Sequence, residues 1–561
     1  MEPGSSGDGR SPWRQVIAGL LVLLFVALAP IALSDYPSPD PEPVYVRILA
    51  VNDLHGQLPA GQKLNGEPAG SAPVLASYLR SAMLGAGEAT TFIALPGDVV
   101  GASPPESGLL LDEPALLFFN GLADGSPGTA IATFGNHEFD RGTDELLRLV
   151  HGGNGAAVIT RPVDPYPGAA AEYVSSNVVW KTNGTLLAAP YTIRDAGGAK
   201  IAFIGATTVE TPWIVKEVNV EDVRFEDETE SINRYVPEIQ QQGVHAIVVL
   251  LHEGGQQEPY DGPTRDGENV TGRVAGIVAG LDGDVDVVLS GHTHAFTNAY
   301  LENAGGNPVL VTQAHSYGRA FADVGIVIDP LTGEVTHASA RVVPAHKNGT
   351  NPDPEALALL EACEAAVEPL TGRVITTTSA ELTRLQTDAG ESALGNLVAD
   401  GQRAAMGADI AFITTGSLRA EIAEGNVTWG DLYAVQPFSS TVLSMTLTGE
   451  QVRDALERQW ETPLPPHNLA VSGLSYTFDE RKPVGDRIVE VRVNGAPLDP
   501  NGSYTAAMVD FLATGGDKYT VFREGTDIVN GPYDVDALVA YMESLPDPVD
   551  AKPEGRIAKA V

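Results

Sequence analysis

The chain has 561 residues, with 34 Lys and Arg against 73 Asp and Glu and a formal net charge of −39. Such a surface repels polyanions and argues against a nucleic-acid polymer as partner, and the single cysteine, Cys363, excludes an intramolecular disulfide and a thiolate-rich zinc site. With 43% hydrophobic residues the length supports two or three domains with ordinary cores, and any metal ion must be held by nitrogen and oxygen.

Residues 1–34 read as a separate segment. Arg10 and Arg14 precede an apolar run from Val16 to Leu33, and Ala32-Leu33-Ser34 has the small-residue character of a cleavage site. The expectation is a signal peptide or an uncleaved N-terminal anchor, with the body of the protein exported to a periplasmic or extracellular location. Membrane contact is then confined to this segment, if it is retained. A Pro-rich spacer, 35–43, follows.

From residue 44 apolar runs alternate with helix-like or loop segments: "YVRILAVND", "TFIALPGD", "TAIATFGNHEFD", "KIAFIGATT", "AIVVLLHEGG" and "VDVVLSGHTH". Each ends in Gly, Asp, Asn or His, as expected where the buried strands of an α/β sandwich deliver polar residues to one edge. This pattern predicts a first α/β domain over 44–345, the place for any catalytic groups. A linker with a connecting helix near Pro354 spans 346–372, a second α/β domain spans 373–548, and a tail spans 549–561. The second domain shows the helix "ALGNLVADGQRAA", the strand "DIAFIT", the helix "TGEQVRDALERQW" and the late strands "GLSYTFD" and "RIVEVRVNG".

The polar strand ends carry the chemistry. Asp53 and His55 stand in "NDLH", Asp98 in "PGD", Asn136 and His137 in "GNHEFD", His252 in "LLHEGG", and His292 and His294 in "SGHTH". Alternation along an extended chain lets Asp53 and His55 point at one object. Carboxylate, amide and imidazole donors suit two adjacent divalent ions such as Mn²⁺, Zn²⁺, Fe²⁺ or Co²⁺. Ten of the eleven histidines occur at or before His346 and only His467 later, so metal chemistry belongs to the first domain. Arg141 follows His137 at the fourth position and Gln256 follows His252 likewise, which excludes a helical H-E-x-x-H zinc protease site.

The ordered set D-x-H, G-D, G-N-H-E, H and G-H-x-H resembles the calcineurin-like metallophosphoesterases. With "PF" and "FLATGGD" further on, roughly residues 44 to 545 resemble the secreted 5′-nucleotidase/UDP-sugar hydrolase family. The resemblance implies a four-layer α/β/β/α sandwich, a connecting helix and a smaller α/β substrate-binding domain. By it Asp53, His55 and His294 hold one ion, Asn136, His252 and His292 the other, and Asp98 bridges. Water activated between the ions then attacks phosphorus in line with the leaving oxygen. Beside Asn136, His137 faces the transferring phosphoryl group, and Asp140 holds its imidazole in position and protonated. His315 is a candidate supporting residue.

On the substrate side, the resemblance implies a base stacked between Phe438 and Phe511, with Arg419 and Asp517 binding phosphate and sugar. Three positions depart from the family pattern: Thr414 stands where Asn is usual, Ser440 replaces the Asn of "PFxN", and the approach to Glu391 has Asp388 and Gly390 instead of an arginine, the nearest being Arg384. The expected function is thus a phosphohydrolase acting on nucleotides. Two alternatives stay open: the same metal core acting on a cyclic nucleotide, nucleotide sugar or sulfur-containing analogue, or a non-catalytic ligand-binding protein.

Overall fold

The structure, a computed structural model, describes residue 1 and residues 42–87, 89–123, 128–156, 159–267, 269–461 and 468–560. The N-terminal segment and most of the Pro-rich spacer lie outside the described residues, as does His467. Among the described residues no helix is long and apolar enough to cross a membrane.

Six strands end at the polar clusters: β1 (Val44–Ala50), β2 (Thr90–Pro96), β3 (Ala130–Thr133), β4 (Lys200–Thr207), β5 (Ala246–His252) and β6 (Val287–Ser290). Strands β1, β2 and β3 run parallel in a six-stranded sheet, and β4, β5 and β6 run parallel in a seven-stranded one. Every residue of β5, "AIVVLLH", is buried. That unbroken apolar run is what a parallel strand covered on both faces requires. The outer strands Phe296–Glu302, Pro308–Ala314, Ala320–Ile328 and Val335–Pro344 add antiparallel pairs that extend both sheets.

The two sheets face each other across a core that includes Ile48, Phe92 and Ile131 from one and Phe203, Leu250 and Leu289 from the other, the Phe92 and Phe203 rings lying 5.4 Å apart. Helices cover the outer faces. Helix α1 (Glu113–Leu122) packs on the first sheet, and Glu228–Gln241 and Arg273–Gly280 pack on the second. The arrangement is the expected α/β/β/α sandwich.

Helix α2 (Pro354–Thr371) starts where the Asp353 carboxylate accepts the Glu355 and Ala356 amides. It buries Ala356 and Leu360 in the core of the first sheet's outer face, and Cys363 and Val367 against Leu110. Beyond it a five-stranded sheet, in the order Leu469–Ser472, Ile410–Thr414, Ser503–Val509, Thr441–Thr448, Thr526–Tyr533, is flanked by α3 (Ala393–Met406), α4 (Trp429–Val435) and α5 (Asp534–Ser544). Ser392 caps α3 and a Thr428/Asp431 capping box starts α4.

The inter-sheet core sets the positions of the strand ends. Phe203→Ala, removing a fully buried ring there, is expected to destabilise the fold by about 3–5 kcal/mol in urea unfolding.

Candidate metal centre and substrate cleft

Parallel strands deliver their carboxyl ends to one edge, and here two sheets do so at the same place. The residues that follow turn sharply: Asp53, His55, Asp98, His292 and His294 have φ of 50°, 51°, 51°, 76° and 58°. Left-handed backbone costs a non-glycine residue roughly 1–2 kcal/mol, so the surrounding contacts must enforce it. Glycine is needed at Gly135, where a Cβ would collide with the Asp98 carboxylate.

Hydrogen bonds fix which ring nitrogens are free. His252 Nδ1 lies 2.9 Å from the Pro96 carbonyl and donates to it, leaving the Nε2 lone pair to face Asn136 Oδ1 at 3.1 Å and Asp98 Oδ2 at 3.2 Å. His55 Nδ1 likewise reaches Gly101 O at 3.0 Å, and its Nε2 faces His294 Nε2 at 3.0 Å and Asp98 Oδ2 at 3.6 Å. His294 Nε2 is 3.6 Å from Asp53 Oδ1. Carboxylate, amide and imidazole groups converging on a buried space repel unless protons or a metal cation sit among them. Asp53, His55, Asp98 and His294 form one group able to hold an ion, and Asp98, His252 and His292 a second, with Asp98 common to both. The donor set fits hard or borderline divalent ions.

The same crowding governs protons. Burial disfavours a charged His252, yet the Asp98 carboxylate, helped by Asp53 and Glu138, outweighs it and pushes the imidazole up to about 10. Burial pushes Asp53 up to about 7, although the His252 charge pulls the other way. Both shifts express a demand for positive charge at this point.

Supporting residues hold the loops. Glu138 is 3% exposed, and its carboxylate accepts the amides of Asp98 at 2.9 Å, Val99 at 2.8 Å and Gly135 at 2.6 Å, tying the loop after β2 to the loop after β3. Asn52 donates to Asp53 Oδ2 at 2.6 Å and to the His315 carbonyl, and accepts from Ala314 N. His315 therefore serves through its backbone; its ring lies beside Phe296, and burial pushes it down to about 4. The sequence offered no separate signal for Glu138 or Asn52, since each reads as a neighbour of a candidate ligand.

His137 stands at the edge of the cluster. Its amide donates to Asp98 Oδ1 and its Nδ1 lies 2.8 Å from Asp140 Oδ2, which leaves Nε2 for another partner. Burial opposes charge on the ring, but Asp140 and Asp98 outweigh it and raise the pKa. The Phe438 ring lies 6.1 Å from the His137 ring at an interplanar angle of 26°.

A cavity of about 440 Å³ opens from this centre between the two α/β units, and Arg419, Phe438, Phe511 and Asp517 all line it with Asn136 and His137. Arg419 Nη2 approaches His55 Nε2 at 3.4 Å. Ion pairs join the two sides: Lys216 to Asp510 at 3.1 Å, Lys518 to Glu210 at 2.7 Å and Arg523 to Glu217 at 3.2 Å. Gly390, at the position of the expected arginine, has φ 98° and borders a different cavity with Trp460 and Asn468. The Arg384 guanidinium bonds the Leu418 carbonyl, next in the chain to Arg419.

If Glu138 holds both loops, Glu138→Gln leaves one amide without an acceptor and should weaken divalent-ion affinity on the order of 10–100-fold while the fold persists. Metal-buffered titration with circular dichroism checks this.

Residues 46–296 match the calcineurin-like phosphoesterase family and residues 373–524 the 5′-nucleotidase C-terminal domain. A Bacillus subtilis protein named endonuclease YhcR is 32% identical over 92% of this chain, which spans only 41% of its length. The Listeria monocytogenes cell wall protein Lmo0130 is 30% identical, the match covering 92% of this chain and 68% of that protein. Among solved structures, a 5′-nucleotidase precursor from Thermus thermophilus superposes with a TM-score of 0.76 at 28% identity, over 92% of this chain and 99% of its own. Strand-end donors, cleft and matches agree: this chain belongs to the 5′-nucleotidase family, joining a calcineurin-like phosphoesterase domain to a 5′-nucleotidase C-terminal domain.

Proposed function

We propose that this chain is an exported, dinuclear-metal phosphohydrolase that releases phosphate from nucleotides. The observation that carries the reading is His137, placed between the convergent donors and an aromatic-lined cavity with its Nδ1 already engaged by Asp140. Asp53, His55 and His294 would hold one ion, Asn136, His252 and His292 the other, with Asp98 shared. When bound, such ions polarise a phosphoryl group and acidify water.

The chain's own groups do the rest. His137 presents Nε2–H to the phosphoryl oxygens or the leaving oxygen, and Asp140 keeps the ring oriented and charged. Arg419 pairs with the phosphate and Asp517 accepts from sugar hydroxyls. Phe438 and Phe511 stack a base, and the cavity walls keep bulk water from the reacting centre. A net charge of −39 disfavours long polyanions and favours small nucleotides. Export rests on the apolar N-terminal segment and on relatives that include a cell wall protein.

The direct test is a phosphate-release screen over nucleoside mono-, di- and cyclic phosphates, nucleotide sugars and simple esters with added Mn²⁺ or Zn²⁺. Release from simple esters but no nucleotide would reduce the reading to a phosphoesterase of other specificity. Phe438→Ala should weaken nucleotide binding by roughly 1–3 kcal/mol relative to p-nitrophenyl phosphate. In a second test His137→Ala should retain its metals, by elemental analysis, and lose on the order of 10²–10⁴ in kcat. Loss of metal with activity would make His137 a ligand instead.

A further inference from the structure

Lys216 is anchored in the sheet that carries His252. Thr207, at the end of β4, pairs in register with His252 on β5, and the chain beyond it passes the buried Thr208 and Thr211 into the short helix Thr211–Ile214. Val215 closes that helix, its amide donating to the Thr211 carbonyl and its side chain buried in the core of the first α/β unit. Lys216 follows directly, lines the cavity and crosses to the second unit, where its Nζ donates to Asp510 Oδ2 at 3.1 Å. Asp510 turns its other oxygen back on the chain: Oδ1 accepts the Phe511 amide at 2.8 Å. One carboxylate thus joins a side chain of the first unit to the backbone that carries the Phe511 ring. A Cβ at Gly516 would stand 2.5 Å from that ring, so the ring lies against the stretch leading to Asp517.

The Phe438 side is tied to the same charges. Asp534 lines the cavity, accepts the Ser440 amide at 3.1 Å and returns its own amide to the Ser440 carbonyl at 2.8 Å, two residues beyond Phe438. Burial pushes Asp534 up to about 7 against the pull of the Val535 and Ser440 amides and the Lys216 charge, while Asp510 adds to the rise. Lys216 is therefore the positive member of a group whose two carboxylates hold the two ring-bearing segments. With side chains 27% and 31% exposed, the Lys216–Asp510 pair is partly withdrawn from solvent, where salt screens it less. We infer that Lys216 is a positioning residue for substrate: acting through Asp510, it sets where the Phe511 ring stands relative to the metal centre. The inference rests on the nucleotidase reading above and concerns the base rather than the reacting phosphoryl group.

The test is a double-mutant cycle on the intact protein, read as the ratio of kcat/KM for AMP to that for p-nitrophenyl phosphate within each variant. Lys216→Met and Asp510→Asn should each lower that ratio roughly five- to tenfold, chiefly through KM for AMP, the scale of weakening one stacking contact. The Lys518–Glu210 pair at the other end of the loop limits the loss. If the lysine works through the aspartate, the double variant loses no more than either single one. Lys216→Arg, which keeps the charge, should recover most of the ratio. Losses that multiply in the double variant would make Lys216 act independently of Asp510, as a direct contact of substrate does, and would overturn the inference; ratios unmoved in both single variants would do the same. Damage to fold or metal content lowers both rates together and cannot imitate the expected drop. If wild type cleaves p-nitrophenyl phosphate and no nucleotide, the nucleotidase reading fails and this inference with it, whereas an additive cycle on a working nucleotidase removes this inference alone.

Discussion

The structure depends on a buried electrostatic demand. Asp53 and Asp98 are all but fully buried, and His55 and His252, whose Nδ1 atoms donate to main-chain carbonyls, turn Nε2 toward Asp98. Desolvated carboxylates and lone pairs that converge on one volume are tolerable only when positive charge is supplied there. The upward displacement of His252 is that demand met by a proton; a divalent ion meets it more fully, because it takes several donors at once.

Meeting that demand constrains the backbone around it. Five of the donor residues sit in left-handed conformations, a cost the two sheets and their bracing offset. The parallel strands end in register, and Glu138 gathers three backbone amides from two separate loops. Asn52 ties β1's loop to the segment at Ala314 and His315. A carboxylate that accepts several main-chain amides is a rigid device, since backbone groups have no rotamers to lose. These main-chain contacts fix the positions of the donors, the kind of preorganisation that charge stabilisation during phosphoryl transfer requires.

The second α/β unit closes the site from the other side. Its contribution is a wall with two aromatic rings, an arginine at the donor cluster and several buried polar atoms, and its position is reinforced by ion pairs between the Glu210–Glu217 and Asp510–Arg523 segments. In a chain so rich in acid, pairing Lys216, Lys518 and Arg523 with carboxylates at the cleft neutralises what would otherwise repel an anionic ligand at close range.

The sequence by itself determined the scaffold and the inventory of candidate ligands. Buried parallel strands are read easily because both faces are apolar, so "AIVVLLH" or "VDVVLSGHTH" announces a strand and the polar residues at its end. Asp53, His55, Asp98, Asn136, His137, His252, His292 and His294 were accordingly visible as a set, and the structure gathers them at one edge. Residues that act through main-chain atoms were not visible. Glu138 looks like half of a His-Glu dipeptide, and His315 contributes a carbonyl rather than a ring. Only the tertiary structure decided that Arg384 bonds the Leu418 carbonyl, next in the chain to Arg419, and that Gly390 borders another cavity. The reason is physical: strand periodicity is a local property of the chain, whereas the meeting of two loops from different domains depends on how both cores pack around α2, which no short stretch of sequence encodes.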